Sequence, residues 1–278
     1  DPSPWLAREA IDVAANHALG AAARAFLLDR RAALPVPELD ALASRIRALT
    51  APATTLALPL PLDGPDGERA ASRAVNPDRE PGAPASPKDN PRYDVRAPRA
   101  EEGKRVRLLA AFLFASPGTP LLSYGTEVGM WGAADPDALK PMLWPELRFE
   151  DEAGHPQAQA RKADPLRFDG DLLRYFQALG KARAGQPALR RGGFEALVAE
   201  DSRRLYAFAR VLDTERVVAA FNLEGRDQGL ELPFPVEQVR ELLSGRRLRA
   251  RDGKVTVTLP PLSAAILAPE ASRAPPPQ

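Results

Sequence analysis

The hydrophobic pattern changes character at Gly192-Gly193. Before that dipeptide, apolar residues recur at helical spacing. After it they come in short alternating or apolar runs separated by turns. A chain of this kind must fold as an α/β part followed by an all-β part. Upstream, Leu6, Ile11, Ala14, Leu19, Ala22, Phe26 and Leu27 predict a helix over Trp5–Asp29, with a short extended element around Ile11–Ala15 as the competing reading. Glu38–Leu49 places Leu39, Leu42, Ile46 and Leu49 on one helical face. Glu101–Phe114 predicts a third helix with acids at its start, stopped by Pro117-Gly118. Thr119–Tyr124 reads as a short apolar strand, and Asp171–Ala184 as a fourth helix. Downstream, strands are expected at Phe194–Ala199, Arg204–Val211, Arg216–Phe221, Gln228–Leu232, Val239–Leu242, Arg247–Ala250, Lys254–Leu259 and Ser263–Leu267. Turn signals such as Glu224-Gly225 and Asp252-Gly253 lie between them. That spacing predicts a small antiparallel β-sandwich.

Composition narrows the chemistry. Of 278 residues, 30 are proline, about twice the usual share. Many fall in 51–98, which reads as loop-rich, and in 271–278, which reads as an extended or disordered tail. No apolar run approaches the ~20 residues of a membrane helix. With 38 Lys+Arg against 37 Asp+Glu and a net charge of +1, nothing favours a nucleic-acid or anionic-membrane partner. The chain opens at Asp1 without a basic leader or an initiator Met, so it reads as a piece of something longer. It has no cysteine and two histidines, His17 and His155. Disulfides, thiolate metal sites and cysteine nucleophiles are excluded, and a histidine triad is poorly supported. Nucleophile-elbow, phosphate-loop, dinucleotide and zinc-helix motifs do not occur. Carboxylates remain, and carboxylates in pairs cleave glycosides.

Two blocks carry them. Leu60–Arg79 reads L-P-L-D-G-P-D-G-E-R-A-A-S-R-A-V-N-P-D-R. From the residues alone it is a solvated acidic turn or a carboxylate-bearing loop, and both readings stand. Ala115–Trp144 is a strand ending in Tyr-Gly, then a long loop with Glu127, Trp131, Asp135 and Trp144. Aromatic faces that stack on pyranose rings and carboxylates that accept hydroxyl hydrogen bonds suit a sugar site. A buried aromatic cluster beneath a loop is the even alternative.

Together the blocks resemble the alpha-amylase family of glycoside hydrolases, in its cyclomaltodextrinase, neopullulanase and maltogenic amylase branch. The run P-G-T-P-L-L-S-Y-G-T-E-V-G-M-W-G-A-A-D-P-D-A-L-K-P-M-L-W is similar to that family's eighth-strand region. Residues 167–192 are similar to its last barrel helix, and 68–79 and 90–94 to the segment after its seventh strand. The resemblance implies α/β plus all-β architecture: the C-terminal portion of a (β/α)8 TIM barrel over 1–192, with a Pro-rich loop region at 51–98. A small antiparallel β-sandwich follows over 193–270, then the tail at 271–278. It implies a retaining hydrolase of α-1,4-glucans such as malto-oligosaccharides, cyclodextrins or pullulan, working with an Asp nucleophile, a Glu acid/base and a stabilising Asp.

Only the third carboxylate has a counterpart. The family pattern S-H-D-[TS]-[DE]-R falls on Gly64-Pro65-Asp66-Gly67-Glu68-Arg69, which makes Asp66 the matching stabiliser and puts Pro65 where a sugar-binding histidine is usual. Asp1–Leu6 is similar to the end of the fifth-strand motif, so the acid/base Glu would fall just before Asp1; the nucleophile strand lies farther upstream. Ile11–His17 is similar to the sixth-strand segment, with His17 replacing a tyrosine. Asp135 matches an aspartate that binds a glucose unit, and Leu139 stands where its arginine partner is expected. Tyr124 and Trp131 complete the substrate-binding set that the resemblance implies, and Glu127 is expected to brace the loop. No cofactor is expected; calcium occurs in some relatives, without a ligand cluster here to support it. The implied partner is an α-glucan oligosaccharide, together with the N-terminal half of the barrel, and the chain alone is expected to be inactive. A non-catalytic or degenerate carbohydrate-binding or scaffold module is the alternative. The absence of cysteine fits cytoplasm or export, the cytoplasm being slightly favoured.

Overall fold

The structure is a computed structural model that describes residues 17–29, 35–49, 58–64, 67–80, 82–156 and 160–270. Helix α1 (His17–Leu27) buries Leu19, Ala22, Ala23, Phe26 and Leu27 along one face. The upstream part of the expected Trp5–Asp29 helix, and its extended alternative, lie outside the described residues. Helix α2 spans Val36–Leu49, strand β1 Pro59–Pro61, and the short helix α3 Ala70–Val75. Helix α4 (Ala100–Ala115) starts where Glu102 accepts from the Arg99 backbone N–H at 2.7 Å, an N-terminal carboxylate satisfying a donor the helix cannot. Strand β2 spans Thr119–Leu121, and β3 (Glu152–Gly154) pairs with β4 (Ala160–Asp164). Helix α5 (Gly170–Gly185) is capped by Asp169, whose side chain accepts from Leu172 N–H at 2.8 Å. Helix α6 is Pro187–Arg191.

Strand β2 is shorter than the expected Thr119–Tyr124. Gly125 sits at φ +79°, where a Cβ would collide with Met130, and ends the extended run in a 3-10 turn over Thr126–Val128. Strands β1 and β2 are parallel, in the register Pro59↔Thr119, Leu60↔Pro120 and Pro61↔Leu121. Among the described residues they pair with no third strand.

The two prolines of β1 are compatible with this ladder for a geometric reason. Backbone groups of alternate residues point to opposite edges of a strand. Leu58 O accepts from Thr119 N–H at 2.9 Å and Leu62 N–H donates to Leu121 O at 2.7 Å, so the even-numbered residues face β2. Pro59 and Pro61 face the other edge, where they supply no donor. There the Arg24 guanidinium donates to Pro61 O at 3.1 Å. Gly20 of α1 lies so close that a Cβ would sit 2.8 Å from the same oxygen. Helix α1 therefore covers the edge that proline cannot pair.

Among the described residues after Gly192 the regular elements are all strands: β5 Gly193–Glu200, β6 Leu205–Leu212, β7 Glu215–Asn222, β8 Gln228–Pro233, β9 Gln238–Glu241, β10 Arg247–Arg249, β11 Lys254–Leu259 and β12 Ser263–Pro269; the expected tail at 271–278 lies outside the described residues. Six of these strands form an antiparallel sheet in the order β10-β9-β12-β7-β6-β5, and β8 pairs with β11 in a second layer. The expected strands and the observed ones coincide to within a residue or two.

Period-2 alternation in β6 and β7 splits the core. Tyr206, Phe208, Val217, Ala219 and Phe221 join the core with α4 and α5. Leu205, Ala207, Ala209, Val218 and Ala220 face the β8/β11 layer. Burial on both faces explains why these strands read as continuous apolar runs. Phe112 of α4 inserts among Tyr206, Phe208 and Phe221, with ring centroids 5.9–6.4 Å from it. Each such pair adds about 0.5–1.5 kcal/mol beyond area burial. On the same face, fully buried Arg210 donates to Ala115 O, Leu189 O, Gly192 O and Gly193 O. One side chain thus ties the ends of α4 and α6 to the start of the sheet.

Candidate functional site

The C-terminal ends of β1 and β2 converge on Asp63. This carboxylate, 5% exposed, accepts from Ser123 N–H at 2.9 Å, Thr126 Oγ1 at 2.7 Å and Ala70 N–H at 3.4 Å. One acid thereby joins both strand ends to the start of α3. Arg69, fully buried, extends the join outward. Its Nε donates to Ala138 O at 2.8 Å and its Nη1 to Tyr124 O at 2.7 Å. Its guanidinium lies 4.9 Å from the Tyr124 ring centroid, a cation–π contact. The loop after β2 is therefore pinned at both of its ends by the arginine that follows β1.

Beside these groups lies a cavity of about 630 Å³, lined by Arg24, Asp29, Asp63, Gly64, Glu68 and Arg73 among others. Each of its carboxylates is already engaged. Asp29 takes a bidentate pair from Arg73, with Nε to Oδ1 at 2.6 Å. Burial raises the Asp29 carboxyl even so. Burial also works against the Arg73 charge, but Asp29 more than offsets it and holds the guanidinium protonated. Glu68 accepts from Arg79 Nη2 at 2.6 Å and from the Tyr93 hydroxyl at 2.7 Å. Among the described residues the cavity holds no carboxylate without a partner, so it offers buried hydrogen-bonding walls rather than an acid/base pair.

Burial, with the neighbouring Glu68 charge, pushes the Tyr93 hydroxyl well above its ordinary value near 10. The folded state then holds that proton more tightly than the unfolded chain. The stabilisation is complete below pH 10 and is lost as pH rises beyond it, at up to about 1.4 kcal/mol per pH unit. The melting temperature followed from neutral pH to above pH 10 should fall less steeply in Tyr93→Phe than in the parent chain. Equal slopes would contradict this assignment.

The site residues expected from sequence are distributed as follows. Asp66 lies outside the described residues. Tyr124 is half exposed at the rim, with its hydroxyl donating to Lys140 O at 2.7 Å. Asp135 is exposed, and its peptide bond to Pro136 is cis. Trp131, for which a sugar contact and a buried cluster beneath the loop are even readings, is 3% exposed, with Lys140 Nζ 5.2 Å from its ring centroid. The loop folds over it because Lys140 is held by Glu152 at 2.7 Å and Asp137 at 3.3 Å. Trp144 is half exposed. Glu127 keeps one carboxylate oxygen buried without a hydrogen-bond partner. Sequence reasoning quoted Asp63, Glu68, Arg69 and Arg73 within the first block but gave them no role. Glu68 and Arg69 carry a signal in the family pattern they match, whereas Asp63 and Arg73 carry none beyond their charge.

This geometry is a loop-borne polar site at the ends of parallel strands beside an antiparallel sandwich. Residues 194–266 match the family described as maltogenic amylase, C-terminal domain. The chain is 30% identical over 166 residues to neopullulanase 2 of Thermoactinomyces vulgaris, which covers 59% of this chain and 25% of that protein. It is also 31% identical over 121 residues to the amino acid transporter heavy chain SLC3A2 of Oryctolagus cuniculus, over 42% of this chain and 22% of that one. Among solved structures, an Anoxybacillus alpha-amylase superposes with a TM-score of 0.70 at 25% identity, covering 98% of this chain and 51% of the other. In sequence and in fold the chain thus resembles the alpha-amylase family, in its neopullulanase and maltogenic amylase branch. It spans about a quarter of the length of the curated relatives it matches.

Proposed function

We propose that this chain is the C-terminal part of a retaining α-glucan hydrolase. In this reading residues 1–192 supply about strands six to eight of a (β/α)8 barrel, 193–270 form the sandwich domain and 271–278 a tail. The observation that carries it is the superposition of 98% of the chain on about half of an alpha-amylase. The relative named neopullulanase supports an α-glucan as substrate. The nucleophile Asp and acid/base Glu would come from the other half of the barrel. Retaining enzymes hold such a pair roughly 5–5.5 Å apart.

Asp66 would add the third carboxylate, hydrogen-bonding the sugar as the oxocarbenium-like state forms. Asp135 and Tyr124 would meet the sugar from the rim, and buried Trp131 would brace the loop beneath them. The chain alone should release no maltose from maltoheptaose, whereas the polypeptide with its upstream half restored should. Maltose release by the pure isolated chain would sink the reading.

A second reading is a non-catalytic relative that binds glucan or serves as a scaffold. Three features favour it. Helix α1 occupies the proline edge of β1. Leu139 is half exposed where an arginine is expected. One relative carries the name of a transporter heavy chain. Calorimetry with maltoheptaose on the restored polypeptide separates the two: tight binding without turnover selects the second, and turnover refutes it.

A further inference from the structure

A cavity of about 550 Å³ lies between the loop that follows β2 and the β3/β4 hairpin. Among the described residues it shares none of its lining with the cavity beside Asp63. Met130, Trp131, Leu143, Phe149 and Leu166 give it apolar walls. Met130 and Leu143 are buried in a small core of their own, and Phe149 and Leu166 pack against that core while staying partly open. Apolar surface left partly open gains from an apolar body that covers it.

The charged lining residues set the polarity of that body. Lys140 Nζ meets Glu152 at 2.7 Å and Asp137 at 3.3 Å. Glu152 also meets Arg161 at 2.6 Å, and Asp137 accepts from Ala133 N–H at 2.7 Å. These groups already satisfy one another across the loop and the hairpin. A charged ligand would have to break such a pair and leave one partner uncompensated, whereas a neutral ligand disturbs none. The Phe149 ring and the Met130 sulfur both make favourable contacts with an aromatic ring. An apolar cavity of about 150 Å³ holds one benzene, so this one has room for two fused rings, and its volume falls in the range of small-molecule sites.

We propose that the cavity between the loop after β2 and the β3/β4 hairpin binds a neutral aromatic molecule of two-ring size. This site is separate from the glucan reading and stands or falls without it.

The probes are 2-naphthol, 2-naphthoate and glucose, titrated calorimetrically into the full chain at neutral pH. The neutral 2-naphthol should bind saturably with one-to-one stoichiometry. The anion 2-naphthoate, with the same rings, should bind about tenfold more weakly or worse, and glucose should not bind. Gly154 lines the cavity, and a Cβ built there meets nothing within 4 Å. Gly154→Phe thus brings a ring to the cavity without a backbone clash and should weaken 2-naphthol binding about tenfold or more, the loss of one ring's burial. Gly225→Phe, at an equally open position between β7 and β8, should leave binding unchanged. Absence of saturable 2-naphthol binding, equal affinity for 2-naphthoate, or the same affinity in Gly154→Phe as in Gly225→Phe would each overturn the proposal. Circular dichroism establishes that the variants fold. If Gly154→Phe does not, Phe149→Ala, which removes an apolar wall at a partly open position, takes its place with the same expected weakening.

Discussion

Replacing Arg210 by leucine should destabilise the chain by about 3–5 kcal/mol, at roughly 1 kcal/mol for each carbonyl that loses its donor. Arg210 is fully buried and donates to Ala115 O at 2.8 Å, Leu189 O at 3.0 Å, Gly192 O at 2.8 Å and Gly193 O at 3.2 Å. Ala115 is the last residue of α4, and Leu189 lies in the last turn of α6. Their carbonyls are among those a helix leaves without an internal partner. A distant strand thus caps two helix ends at once, and leucine keeps the bulk while removing every donor.

The measurement is a urea unfolding curve, with the midpoint read at unchanged slope. Arg216→Leu is the control, because Arg216 pairs with a half-exposed Glu195 at 2.8 Å, an interaction worth at most about 1 kcal/mol. Should Arg210→Leu cost no more than Arg216→Leu, the capping role assigned to Arg210 would be wrong.

The second large effect is expected at Arg69→Leu, about 3 kcal/mol from two buried charge-assisted hydrogen bonds and one cation–π contact. Its consequence is local as well as global. Ala138 O and Tyr124 O lose their common donor, so the loop from Tyr124 to Ala138 is released from the end of β1. Hydrogen exchange should show amides such as Gly129, Met130 and Asp137, which donate within this loop, losing protection ahead of the sheet. Unchanged protection there, in a folded variant, would remove Arg69 from its positioning role. If the glucan reading holds, oligosaccharide affinity falls with it, because Tyr124 and Asp135 lie on the released segment.

The contrast between these two arginines and the carboxylates shows where legibility stopped. Strands after Gly192 were readable because alternation and turn residues are local signals, and Lys254–Leu259 was matched end to end. Helices α4 and α5 were readable to within a residue from their acidic starts and glycine or proline stops. β1 is harder, because a proline supplies no ladder donor, and only the identity of the paired edge shows why Pro59 and Pro61 fit a strand. For Trp131 the residues leave a sugar contact and a buried aromatic cluster beneath the loop as even readings, and only the family likeness puts it in the substrate-binding set. It is buried because Lys140 is held over it by Glu152, a partner from a hairpin that the sequence did not announce.

The sequence by itself determined the division into a helical part and a strand part, the family likeness and the reduction of plausible chemistry to carboxylates. These follow from periodicity, composition and motif, all properties of neighbouring residues. Only the tertiary structure decided which charges are spent. Asp29, Asp63, Glu68, Arg69, Arg73 and Arg210 look alike on the page as polar residues. Burial makes each one's fate depend on partners as many as 95 residues away, because a charge removed from water must find its hydrogen bonds wherever the fold places them.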